Sequence, residues 1–315
     1  MANKIVLPEI DLGAQDTMFL EALEADAERL LNRHEASPRE FFPDDVSDQM
    51  VQAIQDGSFV PEEAPLPSAV KSSLIVNLLT EEGLPYYTSA LDRRLPPSHV
   101  FRDWLHTWTS DEGRHAPAIR NYMNFTRQFN MRDVERARVA MMKFPETPQP
   151  PSFVESNIYP AFQEPATRIS HRNTMLQLPK AHRIGKKALG FVIGDEAKHE
   201  DFYTDMTEAA LKVSPSLTLL GIAYQIKGFA MPGKSIPQFA HHKAVIEEAD
   251  IFGMSQLKEI YDEKLTDTWN IWQISGLDET GEKAREYIKG YLDQMGRLIM
   301  KAAQRRERLK EQTTK

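Results

Sequence analysis

Residues 107–123 read TWTSDEGRHAPAIRNYM, and residues 194–203 read GDEAKHEDFY. Each stretch contains the sequence Asp-Glu-x-x-His inside a segment whose apolar residues recur at helical spacing. Residues three apart on an α-helix are separated by about 60° around the helix axis, so the glutamate and the histidine can reach one metal ion together. One Glu-x-x-His alone is weak evidence, because both residue types are common on exposed helix surfaces.

A second feature of the sequence pairs each of these stretches with an upstream glutamate. Glu81 precedes Glu112 by 31 residues, and Glu164 precedes Glu196 by 32. This weak internal repeat predicts two related helix pairs, each with one glutamate on its first helix and Glu-x-x-His on its second. The repeat contains six candidate metal ligands, which are Glu81, Glu112, His115, Glu164, Glu196 and His199.

The candidate ligands continue the apolar stripes of their predicted helices. Trp108 lies one helical turn before Glu112, and Val192 lies one turn before Glu196. The other two glutamates follow similar apolar stripes. An ionised carboxylate that faces a core is very costly unless it is paired or bound to a metal. We therefore expect these side chains to form a buried metal centre.

The complete ligand set matches a known arrangement. Ferritin-like carboxylate proteins hold two metal ions with one glutamate from each of two helices and Glu-x-x-His from each of the other two. We predict an all-α protein whose core is a ferritin-like four-helix bundle with additional packed helices. Carboxylates and imidazoles without sulfur favour iron or manganese over copper or structural zinc. The bridging glutamates stay open, between the pair Glu81 and Glu196 and the pair Glu112 and Glu164.

The composition is that of a folded protein without disulfides. The chain has 315 residues, of which 41% are hydrophobic and 27% charged, as is typical of globular proteins. It has no cysteine, which excludes disulfides and cysteine-bound metals. The formal net charge of −8 argues against general nucleic-acid binding. No apolar run approaches the roughly 20 residues needed to cross a bilayer, and no leader pattern is seen, so we expect a cytoplasmic protein without a membrane span.

The chain shows helical periodicity throughout and no convincing strand pattern. Clusters of proline separate helices rather than domains, so we expect one domain over residues 1–315. Pro117 and Pro165 fall inside predicted helices beside proposed ligands and should kink them. The predicted helices span residues 16–33, 46–56, 67–93, 98–128, 131–143, 151–177, 182–213, 215–226, 237–251, 255–265 and 279–308.

At these residues the chain resembles the soluble acyl-carrier-protein desaturases, typified by the plastid stearoyl enzyme. The resemblance covers roughly residues 36–298, which leaves residues 1–35 and 299–315 as peripheral segments. It rests on TEEGLPYYTSALDR at 80–93, TWTSDEGRHAPAIRNYM at 107–123, FQEPATRISHRNT at 162–174, GDEAKHEDFY at 194–203, FAMPG at 229–233 and SGLDETGEKAREYI at 275–288.

The resemblance implies two iron ions per chain, with O2 as co-substrate. Glu112 with His115 would bind one iron, and Glu196 with His199 the other. The remaining ligands would be Glu81 and Glu164.

The resemblance also implies roles for residues beside the ligands. Thr167 matches the family threonine beside the oxygen site and would relay protons, although an ordinary helix hydroxyl bonded to a preceding carbonyl explains it equally well. Asp195 matches a family aspartate that hydrogen-bonds the histidine of the opposite iron, here His115. By the internal symmetry, Asp111 would do the same for His199.

One position departs from the family pattern. Members related to the plant enzyme carry a tryptophan in an aromatic–aspartate–histidine chain proposed for electron delivery, and Ala36 stands at that place here. Electrons would then reach the centre by another route, or the alignment of this N-terminal region is shifted.

The resemblance implies an O2-dependent desaturase that introduces a cis double bond into an acyl chain carried on acyl carrier protein. Electrons would come from reduced ferredoxin or a similar donor, and a homodimer is expected. Ala90 and Leu91 would line the acyl channel. An acidic carrier needs a local basic rim on this acidic chain, for which the candidates are Arg93, Arg94, Lys186, Lys187, Lys227 and Lys234.

Other functions fit the same ligand set. A di-iron hydroxylase or N-oxygenase that acts on a tethered substrate is the nearest alternative. A ferritin-like iron-sequestering protein is the alternative from a different class. A radical-generating reductase subunit fits less well.

Overall fold

The computed structural model describes residues 6–38, 40–96, 99–144 and 149–313, with side chains as far as residue 308. Within these ranges the chain forms helices and no strand, which confirms the prediction of an all-α protein. No helix in this described part is both long and apolar enough to cross a membrane. The α-helices are α1 (Asp16–Glu35), α2 (Pro43–Gln55), α3 (Ser68–Glu81), α4 (Leu84–Asp92), α5 (Val100–Glu112), α6 (His115–Thr126), α7 (Met131–Lys143), α8 (Phe153–Gln177), α9 (Arg183–Val213), α10 (Pro215–Gly228), α11 (Phe239–Glu248), α12 (Met254–Asp262) and α13 (Glu279–Thr313).

A bundle of four helical segments forms the centre of the molecule. α3 and α9 each pack against both α6 and α8, so that every segment has two neighbours in the bundle. α5 leads into α6 and also packs on α9. α8 is buried almost all round over residues 153–167, as expected of a helix at the centre of a large helical protein. The predicted four-helix bundle core is confirmed.

The remaining helices surround this bundle. α10 packs on α8 and α9 and is covered by α13, while α11 lies on α3, α12 on α8, and α2 on α6 and α9. α1 packs against α5, α8 and α9, and it buries Phe19, Leu23 and Leu30. Residues 1–35 were expected at the periphery from the sequence, yet α1 contributes these side chains to the largest apolar cluster.

Two of the predicted helices are each divided in the structure. Residues 67–93 form α3 and α4, and residues 98–128 form α5 and α6. The second break falls at Gly113 and Arg114, where the backbone keeps right-handed helical angles although the regular helix is interrupted. Ser98, the predicted first residue of that helix, lies outside the described residues.

The two prolines beside the proposed ligands behave differently from each other. Pro117 is the third residue of α6, where a backbone N–H has no partner within the helix, so its missing donor is tolerated. The predicted kink at Pro117 is therefore replaced by the start of a new helix. Pro165 lies inside α8 together with Pro160, and α8 continues through both positions to Gln177.

The centre of the bundle lies where two apolar clusters meet. Phe162 of α8 belongs to one cluster, and Leu78 of α3 belongs to the other. Glu164 follows Phe162 and Glu81 follows Leu78, so the bundle carries its carboxylates at the junction of the clusters. Apolar side chains on both sides of this junction keep water away from it.

Candidate metal centre

The bundle brings the six candidate ligands together. Their ligand atoms form two overlapping groups, and within each group these atoms lie within 4.8 Å of one another. All six residues are buried, with exposed fractions between 0% and 8%. The first group is Glu81, Glu112, His115 and Glu196, and the second is Glu112, Glu164, Glu196 and His199.

Glu112 and Glu196 belong to both groups. Oε2 of Glu112 lies 3.1 Å from Nδ1 of His115, while Oε1 lies 2.9 Å from Nδ1 of His199. Oε1 of Glu196 lies 3.7 Å from Nδ1 of His115. The geometry therefore makes Glu112 and Glu196 the bridging candidates. This combination takes one member from each of the two pairs that the sequence left open.

Of the two candidate ligand histidines, Glu81 and Glu164 each approach one. Oε2 of Glu81 lies 3.5 Å from Nδ1 of His115, and Oε2 of Glu164 lies 3.9 Å from Nδ1 of His199. Each of the two groups therefore contains one histidine and one glutamate of its own, in addition to the two shared glutamates.

Several buried atoms at the centre have no hydrogen bond within the described part of the chain. Those that point into the centre are Nδ1 of His115, Nδ1 of His199, Oε2 of Glu164 and Oε2 of Glu196, and Nε2 of each histidine also has none. Buried polar atoms are normally hydrogen-bonded, and atoms left without a partner call for another explanation. Here these atoms converge, and a donor set of carboxylates and imidazoles suits iron or manganese. The residues fit a two-metal site.

Burial and mutual repulsion favour protons on this centre whenever no cation neutralises it. Burial raises the pKa of Glu164 to about 7, and the charge of Glu112 contributes. Burial, with the charges of Glu112 and Glu164, raises the pKa of Glu196 well above its usual range. Burial by itself would lower the pKa of His199, but its contacts with Asp111 and Glu112 raise it to about 9. Because metal ligands must be deprotonated, metal binding would displace these protons.

Two aspartates contact the outer nitrogens of the histidine rings. Oδ2 of Asp195 lies 3.5 Å from Nε2 of His115, and Oδ2 of Asp111 lies 3.6 Å from Nε2 of His199. Nη2 of Arg114 joins the two aspartates, at 2.6 Å from Oδ1 of Asp111 and 3.1 Å from Oδ2 of Asp195. Each aspartate thus lies across from the histidine of the other sequence repeat, but neither Nε2 has a hydrogen bond within the described residues, so the hydrogen bonds stay a prediction.

Three further side chains at the centre received no functional role from the sequence. Nε2 of His171 lies 2.9 Å from Oε1 of Glu81, and Nε1 of Trp108 donates to Oε1 of Glu164 at 3.2 Å. His171 lies seven residues after Glu164 and so shares its helix face, which was the available signal. His34 of α1 contacts an aspartate of the centre, and no local pattern marks it.

Thr167 makes the hydrogen bonds of an ordinary helix hydroxyl. Its Oγ1 donates to the main-chain oxygens of Gln163 and Glu164, at 3.1 Å and 2.9 Å. Thr167 also lines a cavity beside the centre. Its role in proton transfer stays a prediction.

Two cavities flank the centre. The larger has a volume of about 380 Å³ and includes Thr167 and the exposed Lys234 in its wall, so it reaches the surface. Of the six basic residues considered from the sequence, only Lys234 lines this cavity. The smaller has a volume of about 30 Å³ and includes Ala90 and Leu91 in its wall. Pro232 lines both cavities.

The sequence model of the fatty acid desaturase family matches residues 15–315. The chain belongs to the fatty acid desaturase family. This desaturase-family chain is 29% identical to DesA1 of Mycobacterium tuberculosis over 288 residues, which cover 87% of this chain and 84% of that one. It is 31% identical over 276 residues to acyl-[acyl-carrier-protein] desaturase 7 of Oryza sativa. The match covers 80% of this chain and 66% of that one. The chain is 27% identical over 290 residues to stearoyl-[acyl-carrier-protein] 9-desaturase of Spinacia oleracea. The match covers 85% of this chain and 70% of that one.

A solved structure supports the same fold for this desaturase-family chain. DesA2 of Mycobacterium tuberculosis superposes with a TM-score of 0.64 at 22% sequence identity, covering 86% of this chain and 99% of that chain. The superposition confirms the predicted ferritin-like, all-helical fold. The family match confirms the resemblance inferred from the sequence.

Proposed function

We propose that the chain is an O2-dependent di-iron desaturase that introduces a cis double bond into an acyl chain carried on acyl carrier protein. The observation that carries this proposal is the pair of overlapping ligand groups, which together present four glutamates and two histidines in a buried bundle. Relatives from Oryza sativa and Spinacia oleracea are named acyl-[acyl-carrier-protein] desaturases, which supports the choice of substrate.

The ligand geometry supports the proposal of two iron ions. When bound, iron supplies the O2 activation and hydrogen removal that no side chain can perform. In the overall reaction the acyl chain loses two hydrogens and one O2 becomes two water molecules. That balance takes two electrons and two protons from outside, and we propose a reduced ferredoxin or a similar donor as their source. One ion would be held by Glu81 and His115, the other by Glu164 and His199, and both by Glu112 and Glu196.

We propose that the two cavities, which share Pro232 in their walls, form a path for an acyl chain past the centre. The larger cavity has a volume of about 380 Å³, which lies within the usual range for small-molecule sites. We infer that the acyl chain enters there, passes Thr167 and extends into the smaller cavity beside Ala90 and Leu91. The carrier protein would then dock near Lys234, where the cavity reaches the surface. The homodimer that the family resemblance implies is a further proposal, which sedimentation would test.

The protein's own contribution to the reaction is positioning and the exclusion of water. Trp108 lines the smaller cavity and also hydrogen-bonds Glu164, so one side chain touches both the substrate path and a proposed ligand. A dry site strengthens the interaction of the carboxylates with the metal ions and protects reactive species from water.

A product analysis tests the function directly. The chain is loaded with iron without oxygen, then given reductant, O2 and a panel of acyl carrier proteins charged with saturated chains of different length. Desaturation lowers the product mass by about two units, whereas hydroxylation raises it by about sixteen. Hydroxylated product would favour the hydroxylase alternative. Continued iron uptake without any acyl product would favour the iron-sequestering protein.

A further inference from the structure

His34, near the end of α1, lies beside the proposed metal centre although its helix belongs to neither Glu-x-x-His repeat. Nε2 of His34 lies 2.8 Å from Oδ2 of Asp111, and the side chain of His34 is 9% exposed. The ring is stacked on that of His199 with a centroid separation of 6.0 Å, and it meets Trp104 edge-on at 5.1 Å. A packed ring in this position cannot turn freely.

The direction of the hydrogen bond follows from the charge of the aspartate. Nη2 of Arg114 lies 2.6 Å from Oδ1 of Asp111, so the aspartate forms an ion pair as a carboxylate. The carboxylate therefore only accepts, and Nε2 of His34 carries the proton that it donates.

The two oxygens of Asp111 are held by different partners. Oδ1 contacts Arg114, and Oδ2 accepts from His34 while it faces Nε2 of His199 at 3.6 Å. The side chain of Asp111 is 20% exposed, so without His34 its Oδ2 could turn toward water. When a metal occupies Nδ1 of His199, the ring proton is on Nε2, and Asp111 is the acceptor that faces it.

The counterpart of Asp111 on the other side of the centre is Asp195. Oδ2 of Asp195 faces Nε2 of His115 and contacts Arg114, which also contacts Asp111. Arg114 thus contacts the aspartates on both sides of the centre. Within the described residues, His34 contacts only one of these two aspartates, the one that faces His199. A change at His34 should consequently affect one metal position more than the other.

We propose that His34 is a positioning residue that holds Asp111 against His199 and thereby sets the metal affinity of the position that contains His199. The proposal rests on the two-metal centre of the proposed function. Hydrogen-bond partners of metal-ligating histidines typically contribute about 10- to 100-fold to metal affinity. The expected effect of losing His34 is a weakening of this size at one position only.

Stepwise anaerobic titration of the full-length chain with Co²⁺, followed by visible absorption, measures both positions without enzymatic turnover. H34F keeps a ring against Trp104 but removes the donor, and H34Q keeps a donor. We expect H34F to weaken one of the two binding steps by about 10- to 100-fold and to leave the other unchanged. H34Q should recover most of the loss. H241A, which removes an exposed histidine of α11, is the control and should titrate like the unchanged protein.

H34F made in the H199A protein shows which of the two metal positions His34 affects. In H199A the remaining position contains His115, and adding H34F there should cause no further loss. Equal weakening of both steps by H34F, or a loss that persists in H34Q, would show that His34 acts through general packing and would overturn the proposal. Unchanged titration of H34F would overturn it as well. Failure of the unchanged chain to bind two Co²⁺ ions would instead contradict the two-metal centre itself.

Discussion

Glu112 differs from the other carboxylates of the centre because its two oxygens face the two candidate ligand histidines, His115 at 3.1 Å and His199 at 2.9 Å. Glu81 approaches His115 from one side only and is contacted by His171 from the other. E112A should therefore lose tight binding at both positions, whereas E81A should retain about one ion per chain. Anaerobic Fe²⁺ titration with metal analysis of the desalted protein measures the difference.

The exposed Glu259 of α12 offers a matched control for these two substitutions. E259A should bind iron like the unchanged protein. If E81A and E112A lost the same number of ions, the distinction between shared and single ligands would be wrong.

The six candidate ligands could be predicted from sequence because each lies at a helical spacing from the apolar residues of its own segment. The residues that orient these ligands could not be predicted from helical spacing. His34 reaches Asp111 and Arg114 reaches Asp195 from a different helical segment, and no spacing within one segment records such a contact. The shared role of Glu112 and Glu196 likewise depends on how four helices meet, which the local pattern does not contain.

At the scale of helices, His182 joins the start of α9 to two other segments. Its Nε2 lies 2.9 Å from the carbonyl oxygen of Ala64, and its Nδ1 lies 2.7 Å from the hydroxyl of Tyr122. A carbonyl only accepts, so Nε2 carries the proton and Nδ1 accepts from Tyr122. The neutral ring satisfies both contacts, and a second proton on Nδ1 would turn this atom from acceptor to donor and force the Tyr122 hydroxyl to accept instead.

The contacts of the neutral His182 ring predict that the folded chain loses stability as the pH falls. Burial lowers the pKa of His182 below its usual value. The folded chain then binds a proton at this site less readily than the unfolded chain, so the stabilisation is complete above about pH 6.5 and declines as the pH falls below it. Urea unfolding of metal-free protein at about pH 7.5 and about pH 5.5 should show a smaller pH-dependent loss in H182Q than in the unchanged protein.

A variant at an exposed histidine serves as the control for this measurement. H241A should keep the full pH dependence. An identical slope in H182Q and the unchanged protein would contradict the assigned role of His182.

A buried ion pair fastens the segment after α12 to the bundle. Lys264 lies in a π-helical turn, Glu263–Thr268, and its Nζ lies 2.6 Å from Oε1 of Glu200. Lys264 is 4% exposed, and Arg168 contacts the other oxygen of Glu200 at 2.5 Å. K264M should destabilise the fold by about 3 kcal/mol, the lower end of the range for breaking a buried pair, because Arg168 still neutralises the carboxylate.

The exposed pair of Lys283 with Glu279 has the same separation of 2.6 Å and provides a matched comparison. K283M should cost less than about 1 kcal/mol, because water screens an exposed pair. Chemical denaturation of both variants compares the two costs. Equal losses would show that burial does not decide the strength of these pairs.

Helical periodicity predicted the existence of most helices, and α8 and α9 agree closely with the predicted ranges. The interruption at Gly113 and Arg114 was not predicted, because both residues keep helical backbone angles and the apolar stripe continues across them. The π-helical turn at Lys264 was not predicted either. Its formation accompanies a buried contact between segments that are distant in sequence.

For the molecule as a whole, the two cavities suggest where chain length is decided. The smaller cavity, of about 30 Å³, includes Ala90 in its wall. A90L would fill this space, so we expect the preference among acyl carrier proteins to shift toward shorter chains. A single methylene in a hydrophobic pocket changes kcat/KM by roughly 10-fold or more. The measurement is the ratio of kcat/KM between two chain lengths.

A302L places the same side chain on the exposed surface of α13 and should leave this ratio unchanged. An equal fall in kcat/KM for all chain lengths in A90L would mean that the smaller cavity does not receive the end of the acyl chain.

The position of α1 shows why whole-molecule arrangement is harder to predict than local structure. The sequence resemblance begins near residue 36, and this boundary led to a peripheral placement of the segment before it. In the structure α1 packs on three helices and places His34 beside the proposed metal centre. Docking of a helix onto a distant surface depends on shape and burial that only the assembled bundle provides.

The central claim is that this bundle binds two metal ions in one buried centre. Anaerobic titration of the unchanged chain with Fe²⁺ tests it most directly, with bound iron counted after removal of the free metal. We predict saturation at two ions per chain, from the two overlapping ligand groups. Saturation at one ion or none, or uptake that continues far beyond two, would contradict it.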